Sequence, residues 1–322
     1  MNAIKVLNFD TAGVAEAAAI LTAGGRVAFP TETVFGLGAD ARQGPAVASI
    51  FEAKSRPAFN PLIVHVADIE AAQGYAEWTP EADRLARAFW PGPLTLVLPL
   101  RAGHGLSDLV TAGLPSVGIR VPAHPAAQAL LRAFGGPIAA PSANPSGKIS
   151  PTTTAHVITG LGDRIEAVLD GGACEVGLES TIIGFAPTPV LLRAGGVPRE
   201  DIDAVLGTPL TDHTAPEAKG ITAPGQMASH YAPSLPVRLN ASSAKPGELM
   251  LGFGAMACDI NLSDTGELRE AAANLFRHLH ALDALAKTTS PAPTGIAVAP
   301  IPAGGLGAAI NDRLRRAAAP RP

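Results

Sequence analysis

The chain has 322 residues, 47% of them hydrophobic and 16% charged, with a formal net charge of −4. That length gives room for about two domains, and the apolar content excludes wholesale disorder. The acidic balance argues against a dedicated nucleic-acid binder, which carries a basic domain or stripe. Gly 34 and Pro 30 stay below the roughly 25–30% of a low-complexity chain, so they mark turns. Cys174 and Cys258 stand far apart and outside any CxxC pair, which points to a reducing compartment and against a thiolate metal site. The N-terminus lacks the apolar core of a signal peptide, and no apolar run reaches the ~18 residues that cross a bilayer. The expectation is a soluble cytoplasmic protein without membrane contact.

In chain order, Thr11 to Leu21 reads as a helix with Thr11 as its cap and Gly24-Gly25 as its stop. Arg26 to Phe29 reads as a strand running into Pro30-Thr31-Glu32-Thr33. Gly36 to Ala41 match the GxGxxA dinucleotide pattern, but the PTETVF before them fits the required strand poorly, so nicotinamide binding is a weak reading. A helix over Pro45 to Ala53 ends near Lys54, because Pro57 disfavours helix in the residue before it. Leu62 to Val66 is a short buried strand. Two helical segments follow, the second from Pro80 to Phe89 with proline in its first turn. Next come strands over Leu94 to Leu100 and Val117 to Val121, a helix over Pro125 to Phe134, and a strand over Ile138 to Ala140. A helix starts at Thr153. Strands over Ala167 to Leu169, Thr181 to Phe185 and Val190 to Leu192 lead to a helix from Pro198 to Gly207. Strands alternate with helices but sometimes follow each other directly, which predicts a mixed sheet with helices packed on it.

Residues 208–234 are polar, rich in Pro and Thr, and lack an apolar period. They read as a linker, and a structureless stretch of that length is usually functional. Strands over Val237 to Leu239, Leu249 to Phe253 and Gly295 to Val298, with helices over Leu268 to Lys287 and Leu306 to Ala319, form a second, smaller α/β unit.

Several stretches carry candidate chemistry. Lys54 and Arg56 stand two apart at a helix end, ahead of Asn60 and a strand bearing His65. They suit a polyanion, and equally suit cations that complement the helix dipole. SANPSGKIS ends like a phosphate loop but has Ser142 and Ile149 where Walker A needs Gly and Ser/Thr. Its Ser142, Asn144, Ser146 and Ser150 offer hydroxyls and an amide to phosphate or ribose, or else form a polar turn. Arg120, inside the apolar VGIRV, needs a partner: a ligand carboxylate in bidentate grip or a structural ion pair. His65 is a core or a site histidine. GLEST, from Gly177 to Thr181, places Ser180 in a pocket or in a turn. His278 and His280 face different sides of one helix, and neither HExxH nor GxSxG is present. Cations, hydroxyls and amides without a nucleophile suit phosphoryl or nucleotidyl transfer, where the protein positions groups and offsets charge.

Taken together, FPTETVFGLGADA, KSRPAFNPLIVHV, WPGPLTLVL, VGIRVPAHP, APSANPSGKISPT, GLESTIIG, LLRAGG, PGQMASHYAP and GLGAAINDRLRRAA resemble the YrdC family in its long two-domain threonylcarbamoyl-AMP synthase form. The resemblance implies a YrdC-like catalytic domain over 1–207, with a twisted mixed sheet around a concave site. It implies a linker over 208–234 folding across that site, and a Rossmann-like α/β domain over 235–322. The implied reaction joins L-threonine, bicarbonate or CO₂, and ATP into threonylcarbamoyl-AMP and releases pyrophosphate. The product would feed the machinery that modifies the tRNA adenosine beside the anticodon; direct tRNA contact stays open. By matched position, Lys54, Arg56, Ser142 and Asn144 form the catalytic set at the nucleotide. Asn60, Ser116, Ser150, Arg193 and Tyr231 are further ATP contacts. Thr33, His65, Arg120, Ser180 and the main chain of Ala140 form a threonine pocket. Mg²⁺ would accompany ATP, with no carboxylate cluster to mark a protein ligand. Two other readings are a carbamoyl-adenylate module of the hydrogenase-maturation kind, whose usual extra segments are absent, and a double-stranded RNA-binding module, against which the net charge counts.

Overall fold

The computed structural model describes residues 4–57, 60–185, 188–212 and 229–320. The chain opens with β1 (Lys5–Asn8) and α1 (Thr11–Thr22). Asp10, rather than Thr11, caps α1: its carboxylate accepts from Gly13 N at 2.8 Å. A carboxylate there satisfies an orphan N–H and meets the positive end of the helix dipole. Val14, Ala17, Ala18 and Leu21 are buried, as the apolar spacing requires.

Then follow β2 (Val27–Phe29), β3 (Gly36–Asp40), α2 (Gly44–Lys54), β4 (Ile63–His65), α3 (Ile69–Gln73), α4 (Pro80–Phe89), β5 (Leu94–Pro99) and α5 (Asp108–Thr111). The chain continues with β6 (Ser116–Arg120), α6 (Pro125–Phe134), β7 (Ile138–Ala139), α7 (Thr154–Leu161), β8 (Ala167–Asp170), β9 (Thr181–Phe185), β10 (Pro189–Arg193), α8 (Arg199–Leu206) and β11 (Thr211–Asp212). All eleven strands join one mixed sheet, in the order β1-β8-β2-β3-β7-β4-β6-β5-β9-β10-β11.

The glycine-rich Gly36–Asp40 is a correction to the weak dinucleotide reading. It is a fully buried strand, antiparallel to β2 and β7. A Cβ on Gly38 would fall 2.8 Å from both Ile138 Cγ2 and Phe29 Cε1. The glycines therefore admit close neighbours inside a sheet, and no phosphate-binding turn opens a helix there.

The smaller unit comprises β12 (Val237–Arg238), β13 (Glu248–Gly252), β14 (Ile260–Asn261), α9 (Leu268–Thr288), β15 (Gly295–Val298) and α10 (Leu306–Ala318). Its four strands are all parallel, in the order β12-β15-β13-β14. Residues 213–228, the bulk of the expected linker, lie outside the described residues, as do Ala58 and Phe59 of the KSRPAFNPLIVHV stretch.

One core of the large sheet holds Val64, Leu94, Leu96, Ile119 and Ile183, and another packs α1 against α6 through Ala17, Leu21 and Leu130. A third core is shared between the units: Val34, Ile149 and Leu178 pack with Leu275, Phe276 and Leu279 of α9. Gly177, with φ +70°, lies so close to α9 that a Cβ would meet Ala272 O at 2.6 Å. Among the described residues no helix is long and apolar enough to cross a membrane. Both cysteines are free thiols.

Candidate active site

Side chains alternate across a strand, so Ile63 and His65 of β4 share a face with Ser116, Gly118 and Arg120 of β6. Val64, Val117 and Ile119 point the other way, into the core. The shared face carries only a small apolar cluster around Ile63 and Ile182. β4 and β6 run parallel, with His65 opposite Arg120 at their C-terminal ends. At that end lies a cavity of about 50 Å³, lined by Thr33, Arg56, His65, Arg120, Ala140, Ser142, Ser180, Arg193 and Tyr231, together with Thr31, Glu179 and His230.

Lys54 ends α2 and is 1% exposed. Its Nζ donates to the main-chain oxygens of Ser142 and Asn144. Ser55 then takes the left-handed conformation, φ 49°, and Arg56 turns inward as well. Arg56 Nη2 donates to Asn60 O at 3.4 Å and Pro61 O at 3.2 Å, while its Nε has no partner. Among the described residues neither cation pairs with a carboxylate; the buried ion pairs lie elsewhere. Burial, then the neighbouring Arg56, pulls the Lys54 ammonium well below its ordinary pKa. Burial likewise brings Arg56 down to about 10. The Oδ1 atoms of Asn60 and Asn144 are buried without a hydrogen bond.

Arg120 is held differently. Nη2 donates to Glu32 Oε1 at 2.6 Å, Nη1 to Thr33 Oγ1 at 2.8 Å and Nε to Gly92 O at 3.2 Å. The other Glu32 oxygen accepts Ala123 N at 3.0 Å. Arg120 therefore has the structural ion pair, and it also lines the cavity. A guanidinium has five N–H donors, so two remain for a ligand carboxylate. His65 is buried edge-on against Phe29, and its Nδ1 has no partner. Burial, then Arg120, lowers its pKa to about 3, so the ring is neutral near pH 7.

Ser180 Oγ bonds Thr95 Oγ1 at 2.7 Å and accepts Arg193 Nη2 at 3.2 Å. Glu179, one residue earlier, accepts Ser150 Oγ at 2.6 Å. Tyr231 closes the cavity. It is 1% exposed with φ 61°, and its ring lies 5.4 Å from that of Phe276. Ala232 N donates to Gly147 O at 3.0 Å, which ties this segment to the SANPSGKIS loop.

The structure therefore gathers nine of the expected residues around one cavity, with Lys54 bonded to the lining residue Ser142 and to Asn144. Ser150 is reached through Glu179, and Asn60 through Arg56. Ser116 is not in the cavity. It lies four residues before Arg120, about 13 Å along the strand, in a narrower cleft with Ile63, Thr95, Val97 and Gly118. Sequence reasoning missed Glu32 and Glu179. The available signal was their position: each directly precedes an expected hydroxyl, in Glu32-Thr33 and Glu179-Ser180. No group of three or more His, Cys, Asp or Glu side chains suited to a metal occurs among the described residues.

An open sheet face ending in buried cations, hydroxyls and a neutral histidine is an arrangement of the α/β-enzyme class, suited to stabilising charge on an anion. A family model described as telomere recombination (Sua5, YciO and YrdC) matches residues 19–195. A second, described as threonylcarbamoyl-AMP synthase, C-terminal domain, matches residues 197–319. The chain belongs to this family, the Sua5-type threonylcarbamoyl-AMP synthases, which are adenylyl-transferring enzymes. It is 42% identical over 328 residues to the threonylcarbamoyl-AMP synthase of Pyrococcus abyssi, covering 94% of this chain and 92% of that one. It is 49% identical over 229 residues to the Bacillus subtilis protein of the same name, covering 70% of this chain and 66% of that one. The crystal structure of P. abyssi Sua5 complexed with L-threonine superposes with a TM-score of 0.87 at 39% identity, covering 98% of this chain and 97% of that one.

Proposed function

We propose that this chain joins L-threonine, bicarbonate or CO₂, and ATP into L-threonylcarbamoyladenylate and releases pyrophosphate. The carrying observation is the buried pair Lys54 and Arg56, which has no carboxylate partner among the described residues yet borders a pocket where Arg120, His65 and Ser180 meet. An unpaired buried cation is costly, and a triphosphate relieves that cost. The names of the relatives and the L-threonine complex of P. abyssi Sua5 support the reading.

Arg120 offers its two remaining N–H groups to the threonine carboxylate. Neutral His65 hydrogen-bonds the amine or the hydroxyl, beside Thr33, Ser180 and the main chain of Ala140. The amine, once deprotonated, takes up CO₂ to give a carbamate. A carbamate oxygen attacks the α-phosphorus, and pyrophosphate leaves. Lys54 and Arg56, with Ser142, Asn144 and Arg193, offset the charge on the phosphates. In this reading the base lies along the strand face from Gly118 to Ser116. The cavity is too small for a nucleotide while Tyr231 fills it, so Tyr231 and His230 move aside for entry. They then exclude water from a readily hydrolysed mixed anhydride.

Mg²⁺ would arrive on the triphosphate. Glu32 and Glu179 already hold Arg120 and Arg313, so no carboxylate set is assigned to it and no step is routed through it. We also propose the division into a catalytic domain over 1–207, a linker over 208–234 and a smaller domain over 235–322. A cytoplasmic setting and delivery of the product to the tRNA threonylcarbamoyl-transfer machinery belong to the same reading. The test is pyrophosphate release from ATP that needs both L-threonine and bicarbonate, with L-serine as control. A purified wild-type chain that releases none, or releases it without threonine, rejects the reading.

A further inference from the structure

The last stretch of the resemblance, GLGAAINDRLRRAA, has no part in the chemistry described so far, yet one of its side chains reaches the active site. Arg313 sits on α10 of the smaller unit, and its side chain is 0% exposed. Its Nε donates to Glu179 Oε2 at 2.8 Å. The other oxygen of Glu179 accepts Ser150 Oγ at 2.6 Å. The Arg313 guanidinium also stands over the Tyr231 ring, 5.3 Å from its centroid. Nη1 pairs with Asp312 at 2.9 Å, while Nη2 is buried without a partner. One arginine thus touches the acid that holds Ser150 and the ring that closes the cavity.

Holding the units together is a poor explanation for this pair. The units already share an apolar core, and a buried ion pair seldom stabilises more than apolar contacts of similar size. Glu179 is different from a surface acid: it lines the cavity. Burial pushes its carboxyl up, but Arg313, Arg193 and the Ser150 hydroxyl together bring it below its ordinary value.

We infer that Arg313 is a positioning residue of the active site, which from the smaller unit holds Glu179 aimed at Ser150 and carries the Tyr231 ring on its own face. The inference rests on the proposed function, in which Ser150 and Tyr231 serve the nucleotide and not the amino acid. Loss of Arg313 therefore acts on ATP and spares threonine. Glu179 then loses its main cation, so its carboxyl rises and activity falls as pH drops through the raised value.

The test uses the full chain as Arg313→Met, Arg313→Lys, Glu179→Gln and the double variant, with KM for ATP and for threonine, kcat and a pH profile of pyrophosphate release. Arg313→Met is expected to raise KM for ATP about tenfold with KM for threonine within about twofold, the split that separates positioning from general damage. Its acid limb is expected to move up by about one pH unit or more. The double variant is expected to lose that shift and to return within about threefold of Glu179→Gln alone, the coupling of two groups acting as one. Arg313→Lys, which keeps the charge but not the fork, is expected to fall between Arg313→Met and wild type. Equal rises in both KM values, an unmoved acid limb, or additive losses in the double variant overturn the inference. If Arg313→Met does not fold, Arg313→Lys takes its place: a KM rise confined to ATP with a raised acid limb supports the inference, and equal rises in both KM values or an unmoved limb overturn it. A wild-type chain without threonine-dependent release sinks the synthase reading itself, whereas an active wild type matched by Arg313→Met sinks only this inference.

Discussion

Two sets of buried cations line the cavity or bond the residues that do, on different terms. Arg120 and Arg313 each have a glutamate at 2.6–2.8 Å. Among the described residues, Lys54 and Arg56 have only main-chain carbonyls. Where the chain needs an orientation fixed in advance, it supplies the anion itself. Where an anion has to arrive and leave, it leaves the charge unmet and accepts the cost in stability. The first set is paired for geometry; in the proposed function the second takes the phosphates.

The contrast breaks most sharply at Glu32. Replacing Glu32 by Ala leaves Arg120 a buried charge without its acid and is expected to destabilise the fold by about 3–5 kcal/mol, as for a broken buried pair. Urea unfolding measures this; a loss below about 1 kcal/mol, typical of a surface pair, would mean the Arg120 pair is solvated. Lys54→Ala runs the other way. It should remove about 3 kcal/mol of transition-state stabilisation, roughly a hundredfold in kcat/KM, with a smaller loss of folding stability than at Glu32, since the lost main-chain hydrogen bonds are partly offset by removal of a buried charge that has no carboxylate. Pyrophosphate-release kinetics beside a melting curve decide it, and wild-type-like turnover removes Lys54 from the chemistry.

A third expectation concerns the ligand. Pyrophosphate at about a hundred times its Kd should stabilise the wild type by roughly 2.7 kcal/mol, seen as a raised melting temperature. The gain should vanish in Arg56→Ala; an equal gain there would place the anion elsewhere. A further expectation is acid sensitivity. His65 and His230 fall to about 3 and His156 to about 4, in each case chiefly by burial. The unfolded chain, near 6.5 for each, binds more protons than the native one between those values. Stability is thus complete above about pH 6.5 and declines as pH falls toward 4 and below. His156 stacks on His280 across the two units at 3.9 Å, so His156→Gln should flatten part of that decline in melting temperature. A profile equally steep in the variant would assign the loss to other groups.

Much of the fold was legible where periodicity met punctuation. α4 and α6 begin at Pro80 and Pro125 and end at Phe89 and Phe134, because proline opens and a turn closes each. β9 and β15 likewise have the bounds read from their apolar runs. β3 was hidden because its glycines look like a loop, and their reason is the approach of Phe29 and Ile138. β11 and β14 have two residues each, too few to show a period. In the site, His65 and Arg120 were visible as polar residues in apolar strands, and Lys54 and Arg56 as two cations spaced at a helix end. Glu32 and Glu179 were not. A lone acid reads as surface, and their burial depends on arginines 88 and 134 positions away.

Ser55 has one more implication. Residues two apart on a continuous α-helix point about 200° from each other, so a lysine and an arginine at that spacing would ordinarily face opposite sides. They converge here because the helix stops between them and the backbone reverses its hand for a single residue, at φ 49°. The separation of the two charges is therefore set by one joint rather than by side-chain length. Glycine at 55 would keep the bend and ease its strain, whereas a β-branched valine would resist it and swing the guanidinium out of reach of whatever the ammonium holds.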